Sequence, residues 1–327
     1  MICAVVRAES NEQALADLAE ARRLGADLGE LRADYLSAPD LPRILAAKPM
    51  PVLVTVRPSW EGGRFAGPEP ERRRLLEEAV RHGADYLDLE ARAEFAIDPG
   101  RAKLILSWHD FEGTPDDLDA IHARIAEKRP SIVKIACQAR GIADAVRLAR
   151  LQRAHPGSAV IAMGDFGEPL RILYARYGGA LTYAAVRAGG ETAPGQLTVE
   201  DLVRRFHAKT VDGSTAVYGV VGNPVGHSKS PALFNDVFKH LHMNARYVRL
   251  KVDDPARLRD LVAALDVRGM SVTIPHKQAV MALLDEADDL AQGIGAANTL
   301  TAGPDGRLRG ANTDLLASME AIKDAPG

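Results

Sequence analysis

Cysteine is nearly absent from this chain: Cys3 and Cys137 are the only two in 327 residues, and both sit inside apolar, strand-like runs. That excludes a disulfide framework, points to reduced core thiols of a cytoplasmic protein and argues against a metal site. Long hydrophobic runs are missing too. No window approaches the length of a membrane span, and the apolar stretch from Met1 to Arg7 is too short for a signal peptide. Neither sign of charge dominates, with 41 Lys and Arg against 44 Asp and Glu, and no basic cluster is interleaved with aromatics. Nucleic acid and membrane are therefore not expected as partners, and small-molecule substrates are. What is present is an ordinary globular composition, 46% hydrophobic and 26% charged, with room for two domains.

From Met1 to about residue 207, short apolar strands alternate with amphipathic helical stretches. The strands are expected at Ile2 to Arg7, Leu28 to Asp34, Val52 to Arg57, Tyr86 to Glu90, Lys103 to His109, Ile132 to Cys137, Ala159 to Gly164 and Ala180 to Val186. Helical periodicity covers Asn11 to Leu24, Glu69 to Arg81, Asp116 to Lys128 and Ile142 to Ala154. Repeated strand-helix units of this length predict an α/β fold, a (β/α)8 TIM barrel over 1–208, with its active site at the carboxyl ends of the strands. The polar residues there are Arg7, Glu30, Arg32, Arg57, Asp88, Glu90, His109 and Lys134, with Arg171 and Gln196 in later loops. A polar linker follows at 209–215. The pattern then restarts over 216–327 as a smaller α/β domain. Its strands are expected at Ala216 to Gly222, Ala245 to Val252, Gly269 to Ile274, Ala297 to Ala302 and Arg309 to Asp314, and its helices at Pro231 to Leu241, Pro255 to Leu265 and Gln278 to Asp289.

Lys134 lies in the apolar run Ile132-Val133-Lys134-Ile135-Ala136, where desolvation would disfavour its charged form and leave an amine able to attack a carbonyl. A lysine that snorkels to water is the competing explanation. His109 ends another apolar strand and can shuttle protons near neutral pH, while a carboxylate such as Glu61 can fix its tautomer. Arg32, Arg57 and Arg171 point to an anionic substrate, because guanidinium binds carboxylate through paired hydrogen bonds.

The segments Gly29-Glu30-Leu31-Arg32-Ala33-Asp34, Thr55-Val56-Arg57, Glu61-Gly62-Gly63, Asp88-Leu89-Glu90, Ser107-Trp108-His109-Asp110-Phe111, Val133-Lys134-Ile135-Ala136 and Ala193-Pro194-Gly195-Gln196 resemble, in order, the type I 3-dehydroquinate dehydratases. The resemblance implies a Schiff base between Lys134 and the ketone of 3-dehydroquinate, with His109 as general base and acid, and no cofactor. It implies that Glu61 orients the histidine and that Glu30, Arg32, Arg57, Arg171 and Gln196 bind the substrate. Thr192 stands where some members carry serine, and Gly189-Gly190-Glu191 lengthens the closing loop. An aldolase-like barrel acting on a phosphorylated sugar is the alternative chemistry, but it would need a phosphate nest where Arg171 and Ala193-Pro194-Gly195-Gln196 stand.

In the second region, Asn223-Pro224-Val225-Gly226-His227-Ser228-Lys229-Ser230-Pro231 follows an expected strand and opens an expected helix, which makes an anion site. Ser230 is equally explained as a helix N-cap. With Ser271-Val272-Thr273-Ile274-Pro275-His276-Lys277, Gly295-Ala296-Ala297-Asn298-Thr299-Leu300 and Gly310-Ala311-Asn312-Thr313-Asp314, the region resembles the substrate-binding domain of shikimate dehydrogenase. The resemblance implies that Lys277 and Asp314 form the polar pair at the reacting hydroxyl, and that Ser228, Ser230, Thr273 and Asn298 hold shikimate or 3-dehydroshikimate. NADP is expected only with the dinucleotide domain of a full-length dehydrogenase, and no fingerprint for one is present. Gly293-Ile294-Gly295 is a superficial match that follows a helical stretch and precedes a strand. A non-catalytic binding or channelling role for this region stays open, as does a homodimer.

Overall fold

The computed structural model describes residues 1–323 and divides into two compact units, Met1–Ala139 with Leu151–Gly213 and Arg140–Arg150 with the described residues from Ser214 onward. In the first, strands β1 (Ile2–Val6), β2 (Leu28–Arg32), β3 (Val52–Thr55), β4 (Tyr86–Glu90), β5 (Lys103–Asp110), β6 (Ile132–Gln138), β7 (Ala159–Met163) and β8 (Thr182–Ala185) form one parallel sheet. Its order is β7-β6-β5-β4-β3-β2-β1-β8, a nearly closed barrel with no ladder between β7 and β8 among the described residues. That seam is tied outside the strands. Ala180 N–H donates to the Ser158 carbonyl, and Gly164 N–H to the Pro194 carbonyl, each at 2.9 Å.

The helices are α1 (Asn11–Leu24), α2 (Leu41–Ala46), α3 (Glu69–Arg81), α4 (Leu118–Ala126), α5 (Ile142–Ala154) and α6 (Glu168–Ile172). Helix α1 shows why the sequence folds this way. Ser10 Oγ caps the Gln13 N–H, worth about 1 kcal/mol, Gly25 ends the helix in the left-handed region, and Ala14, Leu18, Ala21 and Leu24 are buried. One expectation fails: the strand-helix alternation calls for a helix in each interval, and the connection from β4 to β5 contains none. Helix α2 fills the interval before β3, where Asp40 caps the Arg43 N–H and Pro42 stands in the first turn.

Strand alternation sets the site. Leu28, Tyr86, Ile105 and Ile132 belong to one buried apolar cluster that forms the barrel floor, each full burial contributing about 1.5–3 kcal/mol for the larger aliphatics. Glu30, Asp88, Ser107 and Lys134 are two residues further along the same strands, so the same parity turns them inward above that floor.

The second unit is a mixed sheet of β9 (Ala216–Gly222), β10 (Ala245–Lys251), β11 (Val267–Val272), β12 (Glu286–Ala287), β13 (Thr299–Ala302) and β14 (Leu308–Ala311), in the order β10-β9-β11-β13-β14-β12. Helices α7 (Ser230–His240), α8 (Leu258–Leu265), α9 (Asp289–Ile294) and α10 (Asp314–Lys323) accompany it. The helix expected at Gln278 to Asp289 is instead a 3-10 turn at Ala279–Leu283 followed by β12. Pairing decides this: Asp285 N–H donates to the Leu308 carbonyl, and β12 runs parallel to β14. No helix among the described residues is long and apolar enough to cross a membrane.

Candidate active site

One cavity at the carboxyl ends of the barrel strands is lined by Glu30, Arg32, Arg57, Glu61, His109, Lys134, Arg171, Thr192 and Gln196, together with Tyr183, Phe111 and Met163. Lys134 is 5% exposed, so it does not snorkel to water. Nor is it isolated among aliphatics. Its Nζ donates to Asp88 Oδ2 at 2.9 Å and lies 4.1 Å from the centre of the Tyr183 ring. Carboxylate and ring face both attract an ammonium, opposing the desolvation that the apolar run alone implies.

Asp88 is the hub beneath the cavity. Its Oδ1 accepts from Arg57 Nη2 at 2.8 Å and from Ser107 Oγ at 2.6 Å. Burial opposes ionisation of Asp88, but Arg57, Lys134 and His109 together hold its carboxyl well below the usual range. Arg57 also donates to Glu90 at 2.7 Å, and Glu90 is bridged in turn to the fully buried Arg72.

His109 Nδ1 lies 3.0 Å from Glu61 Oε1, which also accepts the His109 backbone N–H at 3.1 Å. Burial lowers the His109 pKa well below its ordinary value, and Arg57 and Lys134 add to this. Burial likewise pushes Glu61 up to about 7, with Arg57 and Arg92 acting against it. Glu61 reaches the histidine because the chain doubles back at Gly63, where a Cβ would come within 2.0 Å of the Arg57 carbonyl oxygen. Phe111 stacks on the imidazole, with ring centres 5.7 Å apart.

The arginines are unequal. Arg32 is paired with Asp34 through two hydrogen bonds of 2.8 and 2.7 Å, and Arg57 with Asp88 and Glu90. Arg171 is 1% exposed, donates to the Pro194 carbonyl at 3.2 Å, and among the described residues its Nε has no partner and it makes no carboxylate ion pair. Burial alone lowers its pKa to about 10. Glu30 accepts from Thr55 Oγ1 at 2.8 Å. Gln196 Oε1 accepts from the Thr192 N–H at 2.8 Å, and Gly195, at a φ of 68°, passes so close to Gly164 that a Cβ would lie 2.5 Å from its carbonyl oxygen.

Residues 2–212 match the model of the type I 3-dehydroquinase family. The chain belongs to that family. Further along the chain, residues 220–300 match a second model, the shikimate dehydrogenase substrate binding domain. The bifunctional 3-dehydroquinate dehydratase/shikimate dehydrogenase, chloroplastic, of Arabidopsis thaliana is 41% identical over 99% of the chain, which spans 56% of that relative's length. The 3-dehydroquinate dehydratase of Desulfotalea psychrophila is 35% identical over 62% of the chain, covering 94% of the relative. The solved dehydroquinate dehydratase and shikimate dehydrogenase from S. pombe AroM aligns with a TM-score of 0.52 at 26% identity, over 99% of this chain and 66% of that one.

In the second unit, Lys277 Nζ donates to Asp314 Oδ2 at 2.5 Å, and Asn298 Nδ2 donates to Asp314 Oδ1 at 2.5 Å. Lys277 holds Asp314 ionised below its usual range against slight desolvation. Ser228 and Ser230 form a separate pair in which Ser228 Oγ accepts the Ser230 N–H at 3.3 Å. Ser230 is the first residue of α7 and makes no cap, so the capping explanation of this serine is wrong. Thr273 lies against Gly222 at the head of the serine loop, and Ser271 accepts from the Tyr247 hydroxyl at 2.9 Å. Gly295 ends α9 in the left-handed region ahead of β13. A dinucleotide turn needs a strand before it and a helix after it, so this segment does not fit NADP.

Sequence reasoning missed Arg72, Arg92 and Tyr183. Arg92 is a loop residue with no periodic or spacing signal. Tyr183 shares its face of β8 with the barrel core, and that parity is the signal that could have found it.

Proposed function

We propose that the barrel dehydrates 3-dehydroquinate to 3-dehydroshikimate. Lys134 adds to the substrate ketone and water leaves as the iminium forms. His109, held through Nδ1 by Glu61, takes the proton from the adjacent carbon at Nε2, and the electron pair moves into the iminium, a better sink than the ketone. The enamine then expels the hydroxyl on the next carbon, His109 returns the proton to it, and water leaves. Hydrolysis of the imine frees product and amine. Arg171 binds the substrate carboxylate, because among the described residues it is the buried cavity cation with no carboxylate partner of its own. Glu30, Arg32, Arg57, Thr192 and Gln196 contact the hydroxyls.

The observation that carries this reading is the placement of Lys134, His109 and Arg171 on one cavity. Borohydride added with 3-dehydroquinate should add one ligand mass at Lys134 and stop turnover. Labelling at another lysine, or full activity in Lys134→Ala, would remove the assignment.

We assign 1–208 to this barrel, 209–215 to a linker and 216–327 to a module that binds shikimate or 3-dehydroshikimate. Its support is the hydrogen-bonded group of Lys277, Asn298 and Asp314. Burial of both free cysteines supports a cytoplasmic setting.

A further inference from the structure

We infer that Arg92 is a positioning residue for the barrel's reaction: it holds Glu61 so that the other carboxylate oxygen fixes the tautomer of His109. This rests on the dehydratase reading above. Arg92 stands in the loop after β4, is exposed, and is not among the residues lining the cavity, so it acts through Glu61. Its Nη2 and Nε lie 3.0 and 3.3 Å from Glu61 Oε2, while Oε1 is given over to the backbone N–H and Nδ1 of His109. One oxygen faces the cation and the other faces the base. The Arg92 guanidinium also lies 5.7 Å from the centre of the Trp60 ring, next to Glu61 in sequence.

Arg92 is the only cation hydrogen-bonded to Glu61 among the described residues. Arg57, after β3, spends its hydrogen bonds on Asp88, Glu90 and Ser107, and Glu90 on β4 repels the Glu61 charge. His109 is faced in turn by Arg32 of β2, Arg57, Asp88 of β4 and Lys134 of β6. A buried carboxylate deprived of its bonded cation takes up a proton more readily. Protonated Glu61 would donate to Nδ1 and place the ring proton on Nε2, closing the nitrogen that must act as base.

The test uses Arg92→Ala and Arg92→Lys in the full chain. The acid limb of kcat/KM should move up by about one pH unit in Arg92→Ala, a loss of about tenfold at pH 6 that shrinks to within about twofold at pH 9. Arg92→Lys should restore at least half of the shift. In imidazole nitrogen NMR spectra at pH 7, with His109 assigned from His109→Asn, Arg92→Ala should move the protonated-nitrogen signal of His109 from Nδ1 toward Nε2. A profile that keeps its wild-type limb with a uniformly lower rate, or an unchanged His109 spectrum, would overturn the proposal. Wild-type protein that neither turns over nor traps 3-dehydroquinate would defeat the dehydratase reading instead, and the His109 spectrum would still decide what Arg92 does.

Discussion

Lys134 and Asp88 stand 2.9 Å apart inside the barrel, on strands separated by β5. The lysine therefore waits as half of an ion pair, with Arg57 on the carboxylate's other oxygen.

Asp88→Asn should be strongly destabilising, since it leaves Lys134 and Arg57 buried with the central anion gone. Breaking one partner of a buried pair costs about 3–5 kcal/mol. Urea unfolding of the isolated variant measures this, and a loss below about 1 kcal/mol would mean that the pair is not the anchor of the network.

At neutral pH the titrating unit is the Glu61 and His109 pair, which gains its proton near 7 because burial lifts Glu61 to about 7. Activity should fall as pH drops through that value. Glu61→Gln should run slowly at every pH, yet hold its reduced plateau further into acid. The group left to titrate is His109, which burial, Arg57 and Lys134 keep well below its ordinary value. His109→Ala should be nearly inactive, by about a hundredfold to ten-thousandfold, while still trapping substrate with borohydride. A Glu61→Gln limb at or above the wild-type limb contradicts this account.

Arg171→Met separates binding from folding. A hydrogen-bonded charge is worth about 1.5–3 kcal/mol, so KM for 3-dehydroquinate should rise by about ten- to a hundredfold. Tm should stay level or rise, because an unneutralised buried cation is removed along with its desolvation penalty. Unchanged KM, or a clear fall in Tm, counts against Arg171 as the carboxylate receptor.

For the second unit, calorimetry of the 327-residue chain with shikimate should give binding that weakens when Ser228 and Ser230 are both changed to alanine. NADPH should give neither heat nor oxidation. NADPH-dependent reduction by the purified chain would place a cofactor site that the fold of residues 1–323 does not explain.

Much of this was legible in the chain. Helices α1, α3 and α5 lie where periodicity put them, since their apolar spacing and end residues agree. The first three strands stop short of Arg7, Asp34 and Arg57 because each chain leaves the sheet as it reaches the rim; Arg57 already turns to accept the Phe65 N–H. The helix expected around Leu283 lost to pairing with β14, a long-range contact that no local pattern carries. At the site, residue types were readable and their partners were not. Lys134 looked solitary because Asp88 reaches it across β5, and three arginines looked equivalent until Arg32 and Arg57 were found neutralised. Arg92 gave no signal because its meaning lies 31 residues away, at Glu61.

The unladdered seam divides the labour of the cavity. Lys134, His109 and Glu61 stand on or beside strands bonded on both sides, while Arg171 follows β7 and Thr192 and Gln196 follow β8, the two strands with no ladder between them among the described residues. Among the described residues β7 and β8 each pair with one neighbour only, and hydrogen bonds from Ala180 and Gly164 bridge the gap outside the strands. Under the proposed roles, the bond-breaking groups sit where the sheet is laddered on both sides, so a small displacement there disturbs two neighbours, while Arg171, Thr192 and Gln196 sit beside strands laddered on one side.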